Sequence, residues 1–219
     1  MPLQQIAKRK KRKKKKLTPE QKTQNLYRKE VRGIFLKAGF TRVPRISDLE
    51  ITFKKVYTID FDDVFVYENV IIFNEYTLSK AENISGHLKP KKIIYDAILD
   101  NKKEFLQYMF DKFPSLRAAI GGVYNTHQLR ILILYCSKND VETIHKHAVN
   151  RIYYLDYPIL KYFKAITDSI KKSARFEIFK FFELDFKEIG ENVLTAKSSN
   201  TEIKATILPE THSFFKKGY

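Results

Sequence analysis

Carboxylates at the open end of a predicted β-hairpin are the residues of this chain best placed to do chemistry. Two runs, residues 60–67 and 70–77, are rich in β-branched and aromatic side chains, and only Glu68 and Asn69 separate them. Such a pattern predicts two antiparallel strands joined by a two-residue turn. Both runs carry acidic residues at the ends away from the turn. The position of the turn therefore determines which acids lie opposite each other.

The register of this hairpin is expected to bring Asp62 opposite Glu75 and Asp60 opposite Thr77, all on one face. Like charges so opposed cost stability, and a divalent cation would offset that cost. Mg²⁺ is typically held by one or two carboxylates together with water and phosphate oxygens. We therefore hypothesise that Asp62 and Glu75 bind Mg²⁺. The alternative is that these acids are solvated at the strand ends and pair with lysines.

A helix is predicted to precede the hairpin, over residues 19–38. Thr18 and Gln21 fit a capping box, with proline at the first helical position, and Gly39 is a plausible left-handed stop. This helix carries Glu30, a further acid that could contribute to a metal site through water. The helix therefore supplies one wall of the region in which the hairpin acids lie.

The chain beyond the hairpin is predicted to alternate helices with strands. Pro90 is expected to open a second helix that ends before Pro114, and the apolar run 129–135 reads as a strand buried on both faces. A short strand over 151–155 and helices over about 157–172 and 173–184 should follow. The pattern predicts an α/β fold with a mixed central sheet flanked by helices, followed by a small helical region.

Charge points to a polyanionic partner. The 219 residues carry 41 Lys and Arg against 25 Asp and Glu, a net charge of +16. Nucleic acid, DNA first, is the partner expected for such a chain, with a membrane surface the weaker alternative. Residues 1–16 form a segment that we call the basic arm. It contains nine positive charges in one run: Lys8, Arg9, Lys10, Lys11, Arg12, Lys13, Lys14, Lys15 and Lys16.

The charged run of the basic arm has nothing apolar to pack, so the arm is expected to be disordered. It serves either as a solvated tail or as a phosphate-binding arm, and nuclear import is a third use of the same composition. Elsewhere the chain has a single cysteine, which excludes an internal disulfide framework and a cysteine-rich zinc site. Because it lacks a secretory signal and an apolar run of membrane-spanning length, we expect a cytoplasmic protein that does not enter a membrane.

The order of these elements resembles that of the PD-(D/E)xK nuclease superfamily. A helix bearing Glu30 precedes an acidic strand with Asp60-Phe61-Asp62, and the next strand ends on Glu75-Tyr76-Thr77 where the family has Glu-x-Lys. The resemblance covers about residues 20–140. It implies a restriction-endonuclease-like fold, Mg²⁺-dependent hydrolysis of phosphodiesters in DNA, and Asp62, Glu75 and Glu30 as metal ligands.

More specifically, the segment FDDVFVYENVIIFNEYT resembles the nuclease-like N-terminal region of DGQHR-domain proteins, which accompany DNA modification and phage defence. The resemblance implies a nuclease-like domain over 17–140 and a helical extension over 141–219 that leads into a DGQHR-type region. The DGQHR motif itself is absent. The chain is therefore expected to be either a fragment or a shortened relative.

Thr77 stands where the family has the lysine that positions water and stabilises negative charge. We assign that catalytic role to Lys80, three residues on, and keep Lys89, Lys91 and Lys92 as lysines that could also reach back. The alternative is a degenerate site in a non-catalytic module that binds nucleic acid or a partner protein.

Overall fold

A mixed sheet of five strands with helices on both faces organises the protein, which confirms the predicted α/β class. The structure is a computed structural model and describes residues 17–46, 49–122, 124–139, 152–182 and 184. The basic arm lies outside the described residues, and so does the end of the predicted helical extension.

The elements follow one another in an order that begins and ends with helices. In chain order they are α1 (Pro19–Lys37), β1 (Thr41–Arg42), β2 (Leu49–Phe53), β3 (Tyr57–Phe61), β4 (Asp63–Tyr67), β5 (Val70–Thr77), α2 (Ala81–Asp100), α3 (Lys102–Lys112), α4 (Pro114–Ala119), β6 (Arg130–Ser137), β7 (Tyr153–Leu155), α5 (Tyr157–Ile170) and α6 (Arg175–Phe181). A short 3₁₀ helix, Lys171–Ala174, joins α5 to α6.

The sheet has the strand order β1-β4-β5-β6-β7. Strands β4 and β5 form the predicted antiparallel hairpin, with Tyr67 opposite Val70 and Val64 opposite Phe73. Glu68 adopts a positive φ of 49° in its two-residue turn. Strand β6 then runs parallel to β5, and β7 runs parallel to β6. The helices α2, α3 and α4 make the crossover that a parallel neighbour requires.

The acidic strand is interrupted, and this corrects the prediction of one strand over 60–67. Asp60 lies in β3 and pairs with Glu50 of β2, in a separate two-stranded sheet, so it does not lie opposite Thr77. The chain bends at Asp62 before β4 begins. Strand propensity did not reveal the bend, because both halves are rich in strand-forming residues and differ only in their partners.

The two faces of the sheet bury two separate hydrophobic clusters. Alternation along β5 sends Ile71 and Phe73 toward α2, α3 and the two-stranded sheet, whereas Val70 and Ile72 face α1, α5 and α6. Glu75 has the parity of Phe73 and so belongs to the α2 face. Odd-numbered and even-numbered residues of β5 therefore lie on different faces of the sheet, and Glu75 lies on the face covered by α2.

The first helix matches its prediction closely. Thr18 and Gln21 form the capping box, and Gly39 adopts a φ of 94° just after the helix ends. The second helix was predicted wrongly, because α2 begins at Ala81 and Pro90 lies inside it. That proline lacks the N–H that would donate to the carbonyl of Gly86, one turn earlier. The turn before Pro90 is therefore held by packing, since Ile84 and Leu88 are buried against the sheet.

Residues beyond the predicted domain boundary at 140 continue the same sheet. Strand β7 pairs with β6, and α5 packs against α1 over the shared hydrophobic cluster. The two helices expected after the short strand are present as α5 and α6. Within the described part of the chain, no helix combines the length and apolar character needed to cross a membrane.

Candidate active site at the open end of the hairpin

Glu75 lies near the carboxyl end of β5 and is almost fully buried, with 3% of its surface exposed. Two side chains of α2, one turn apart, reach its carboxylate. The Lys91 ammonium donates to Oε2, and the Tyr95 hydroxyl donates to Oε1. Spacing of four residues places both donors on the face of α2 that packs against the sheet. The helix thus brings a lysine to the acid whose strand lacks one.

The protonation of this pair follows from burial and charge. Burial raises the pKa of Glu75, although the charge and hydrogen bond of Lys91 oppose that rise. Burial lowers the pKa of Lys91, but the charge of Glu75 and its hydrogen bond outweigh it and leave the Lys91 pKa above its ordinary value. The charge of Asp60 acts on Lys91 in the same direction. Lys91 is therefore cationic at neutral pH.

Asp62 stands at the bend between β3 and β4 and continues the hairpin register toward Glu75. Its Oδ2 accepts a hydrogen bond of 2.7 Å from the backbone N–H of Tyr76, and its Oδ1 accepts one from Arg28 of α1. The charge of Asp62 contributes to the raised pKa of Glu75, so the two carboxylates interact. The predicted acidic pair thus forms one electrostatic group.

Asp63, the next residue and the first of β4, is completely buried. Its oxygens accept hydrogen bonds from Arg32 at 2.6 Å, from Arg42, and from the Tyr76 hydroxyl at 2.7 Å. Sequence reasoning did not separate Asp63 from its neighbours. Arg28 and Arg32 occur four residues apart on α1, and that spacing was the signal that one helix face meets two acids.

Side-chain cations offset the repulsion for which the sequence suggested a metal. Arg28 lies at Asp62, Lys91 at Glu75, and two further arginines lie at Asp63. Unpaired like charges would have cost stability, and pairing within the fold removes that cost. The acids therefore need no metal for the fold to be stable, and any bound metal must share these oxygens with the cations.

Two other sequence-predicted site residues, Lys80 and Glu30, lie in settings of their own. Lys80 is the exposed residue at the start of α2, and the structure shows Lys91 at Glu75 instead. Glu30 is two positions from Arg28, about 200° around the helix. It lines a groove between α1 and α5 together with Lys37 and Lys164.

The residues present fit Mg²⁺ in chemical type. The carboxylate oxygens of Asp62 and Glu75 accept hydrogen bonds from Arg28, the Tyr76 N–H, Lys91 and Tyr95, and carboxylate oxygens are also the ligands that Mg²⁺ prefers. Two carboxylates suffice for Mg²⁺ when water and substrate phosphates complete its shell. No cluster of three or more His, Cys, Asp or Glu side chains that could hold a metal by itself occurs in the described part of the chain.

The arrangement joins two interacting carboxylates to a half-buried lysine at one end of a sheet. Such a group can hold a hard cation and can stabilise negative charge that develops on a phosphate. The chain matches no protein-family model, no curated protein and no solved structure at a level that supports common descent.

Proposed function

We propose that this protein is a nuclease-like, nucleic-acid-binding enzyme that hydrolyses phosphodiester bonds of DNA with Mg²⁺. The observation that carries the proposal is the contact of Lys91 with Glu75. Strand β5 ends on Glu-x-Thr, and the lysine missing from that strand is supplied by the following helix. Asp62, Glu75 and Lys91 then provide the two carboxylates and the cation that the superfamily pattern requires.

The topology supports a restriction-endonuclease-like assignment. A helix, an antiparallel hairpin, a helical crossover and a parallel strand follow one another in α1, β4–β5, α2–α4 and β6. The acids occupy the beginning of the first hairpin strand and the end of the second, so they lie at the same edge of the sheet. Sites of degenerate sequence are recognised by this kind of placement rather than by residue spacing.

Each described side chain has a definable task in this proposal. Arg28 and the Tyr76 N–H orient Asp62, and Tyr95 orients Glu75. A bound Mg²⁺ would lower the pKa of its water and neutralise charge on the scissile phosphate. Because its pKa is raised, Lys91 stays protonated at neutral pH and stabilises negative charge on the phosphate oxygens, and a role as general base is disfavoured.

The proposal is tested by replacing Glu75 with glutamine, which keeps the size of the side chain and an acceptor for Tyr95. We expect wild-type protein to nick supercoiled plasmid in the presence of Mg²⁺, and Glu75→Gln to lower that rate by about a hundredfold or more. Mg²⁺ should also raise the melting temperature of the wild type and leave that of the variant unchanged, because a ligand of the folded state stabilises it.

Glu104→Gln is the matched control, because Glu104 is an exposed carboxylate on α3 that pairs with Lys54 at 2.9 Å. It should nick and respond to Mg²⁺ as the wild type does. A wild-type protein with neither nicking nor a Mg²⁺-dependent melting shift contradicts the proposal, as does equal loss of activity in both variants.

The second candidate function is a non-catalytic module that binds nucleic acid through the basic arm. The observation in its favour is that arginines already neutralise both Asp62 and Asp63. An acid held by a guanidinium is well suited to stabilise a fold, and the binding function would then belong to the basic residues. Its expected partner is again DNA, with an alternative role as a subunit of a larger modification or defence complex.

Deleting residues 1–16 tests the basic arm directly. Lys and Arg contacts to phosphates release counterions, so we expect the deletion to weaken DNA binding and to flatten its dependence on salt, regardless of DNA sequence. Affinity measured by fluorescence anisotropy at several salt concentrations gives both quantities. An unchanged slope would show that the basic arm is a solvated tail.

A further inference from the structure

A cavity of about 550 Å³ lies between the helices α3 and α4 and the loop that precedes β6. This loop is docked on the hairpin turn, because the Arg130 N–H donates to the Asn69 carbonyl and the Asn69 amide donates to the Gln128 carbonyl. The turn begins β5, and Glu75 lies five residues further along that strand, about 17 Å away. The cavity and the candidate active site therefore lie at opposite ends of the sheet.

The wall of this cavity is basic. Lys103 and Arg117 contribute cationic side chains and His127 an imidazole, and no Asp or Glu occurs among the described residues that line it. Lys102 stands just behind the wall, where it donates to the carbonyls of His127 and Leu129. Burial lowers the pKa of Lys102, and the charge of Arg130 lowers it further. These groups create a positive potential that favours an anionic ligand.

The remaining lining is suited to an aromatic ring with polar edges. Phe110, Ile120 and Tyr124 supply apolar surface, and Gln107 and Asn125 supply amides. A volume of this size falls in the range of about 300–1,000 Å³ that is typical of small-molecule sites. A pocket with a basic rim and an aromatic floor has the chemistry to hold a phosphate and a base together.

Two carboxylates, Glu68 and Asp111, are engaged by residues that line the cavity. Glu68 accepts a hydrogen bond of 2.6 Å from the Tyr124 hydroxyl, and Asp111 accepts one of 2.9 Å from the Gln107 amide. Both acids thus hold the wall in place. Neither of them lines the cavity itself, so its basic character is preserved.

We propose that this cavity binds a nucleotide, with the phosphate at Lys103 and Arg117 and the base against Phe110 and Tyr124. The nucleotide is either free in solution or one unit of a single strand, since both present the same phosphate and base. The proposal does not depend on hydrolysis at Glu75, because the two sites share no residue.

The test compares charge reversals at matched positions in the full chain. Binding of a fluorescent ATP analogue is followed by anisotropy at about 0.15 M salt, where long-range attraction is screened. We expect saturable binding by the wild type and a loss of affinity on the order of tenfold in Lys103→Glu/Arg117→Glu. Lys22→Glu/Lys180→Glu makes the same change in net charge at exposed positions of α1 and α6. Its affinity should change by less than about twofold.

Base recognition is tested by competition with unlabelled ligands. ATP should displace the probe at lower concentration than inorganic triphosphate, and Phe110→Leu should reduce that advantage because a leucine cannot stack on a base. Absence of saturable binding, equal losses in the two charge-reversed proteins, or equal competition by triphosphate and ATP would each overturn the proposal.

The source of the nucleotide is decided by a further pair of competitors. A single-stranded oligothymidylate that competes better than ATP, with the same sensitivity to the Lys103 and Arg117 reversal, assigns the cavity to a strand. Better competition by ATP assigns it to a free nucleotide. Both results support nucleotide binding. The measurement is made without Mg²⁺, so its outcome does not depend on the nicking rate that tests hydrolysis.

Discussion

Replacement of Lys91 by methionine should lower the Mg²⁺-dependent nicking rate by about 10²–10³-fold, the effect of removing one preorganised group that stabilises transition-state charge. Methionine keeps an unbranched chain in the helix but loses the charge and the hydrogen bond to Glu75. The reason for so large an effect is position, since Lys91 contacts Glu75 on the α2 face of the sheet. Initial rates on supercoiled plasmid measure it.

Two lysines near Lys91 make matched controls for this result. Lys80 and Lys89 are exposed, and Lys80→Met and Lys89→Met should retain wild-type rates. The Lys80 variant also tests the lysine that sequence reasoning assigned to catalysis. Loss of activity on changing Lys80, with Lys91→Met still active, would contradict the proposed role of Lys91.

A further variant tests whether a lysine on the strand can replace Lys91. Thr77 shares its face of β5 with Glu75, so Thr77→Lys in the Lys91→Met background should recover part of the lost rate. Recovery will be incomplete, because the Thr77 hydroxyl accepts a 3.0 Å hydrogen bond from the Ser79 N–H that lysine cannot accept.

The pH dependence of the free energy of unfolding tests the contact between Lys91 and Glu75 without an activity assay. Burial raises the pKa of Glu75 and Lys91 opposes that rise, so removing Lys91 should raise the pKa further. Between the unfolded and folded pKa values the native state binds the extra proton. The free energy of unfolding should therefore fall as pH rises through that window. Adding Glu75→Gln should remove the contribution of Glu75 to that slope, and a Lys91→Met profile no steeper than that of the double variant would contradict the pairing.

Asp63→Ala should produce a large loss of stability, about 3 kcal/mol by urea unfolding. The side chain is completely buried, and its removal leaves Arg32, Arg42 and the Tyr76 hydroxyl without the acceptor they share. Breaking this network costs more than deleting a surface pair, because Asp63 is fully buried and its loss leaves the buried Tyr76 hydroxyl without that acceptor.

Two variants divide this effect into its parts. Tyr76→Phe removes only the hydroxyl bond to Asp63 and should cost about 1 kcal/mol. Asp168→Ala removes an exposed carboxylate that pairs with Lys37 and should leave the unfolding midpoint nearly unchanged. A loss in Asp63→Ala no larger than that of Tyr76→Phe would show that the arginines do not depend on Asp63.

The hairpin could be predicted in detail because its information is local. Two apolar runs with two residues between them permit few registers, and alternation then sorts side chains onto faces. Val64 and Phe73 accordingly lie opposite each other as expected. The same argument failed at Asp60, because its partner in β2 is chosen by a second small sheet that local propensity does not reveal.

The start of α2 shows a second limit of local reasoning. A proline is a strong signal for the first turn of a helix, so the sequence predicts that a helix begins at Pro90. Ile84 and Leu88 are buried against the sheet and hold the preceding turns in place. Packing of this kind offsets the hydrogen bond that proline removes, and it is visible only once the sheet exists.

Sequence alone established the α/β class, the first helix, the hairpin register and the meeting of Asp62 with the end of β5, because each depends on the spacing of residues close along the chain. Tertiary structure decided which cations those acids receive. Arg28 precedes Asp62 by 34 residues, and Lys91 follows Glu75 by 16, so their contacts depend on where α1 and α2 pack. Forty-one basic residues offered many candidates, and only the packing of helices on a sheet brings a particular lysine to a buried carboxylate.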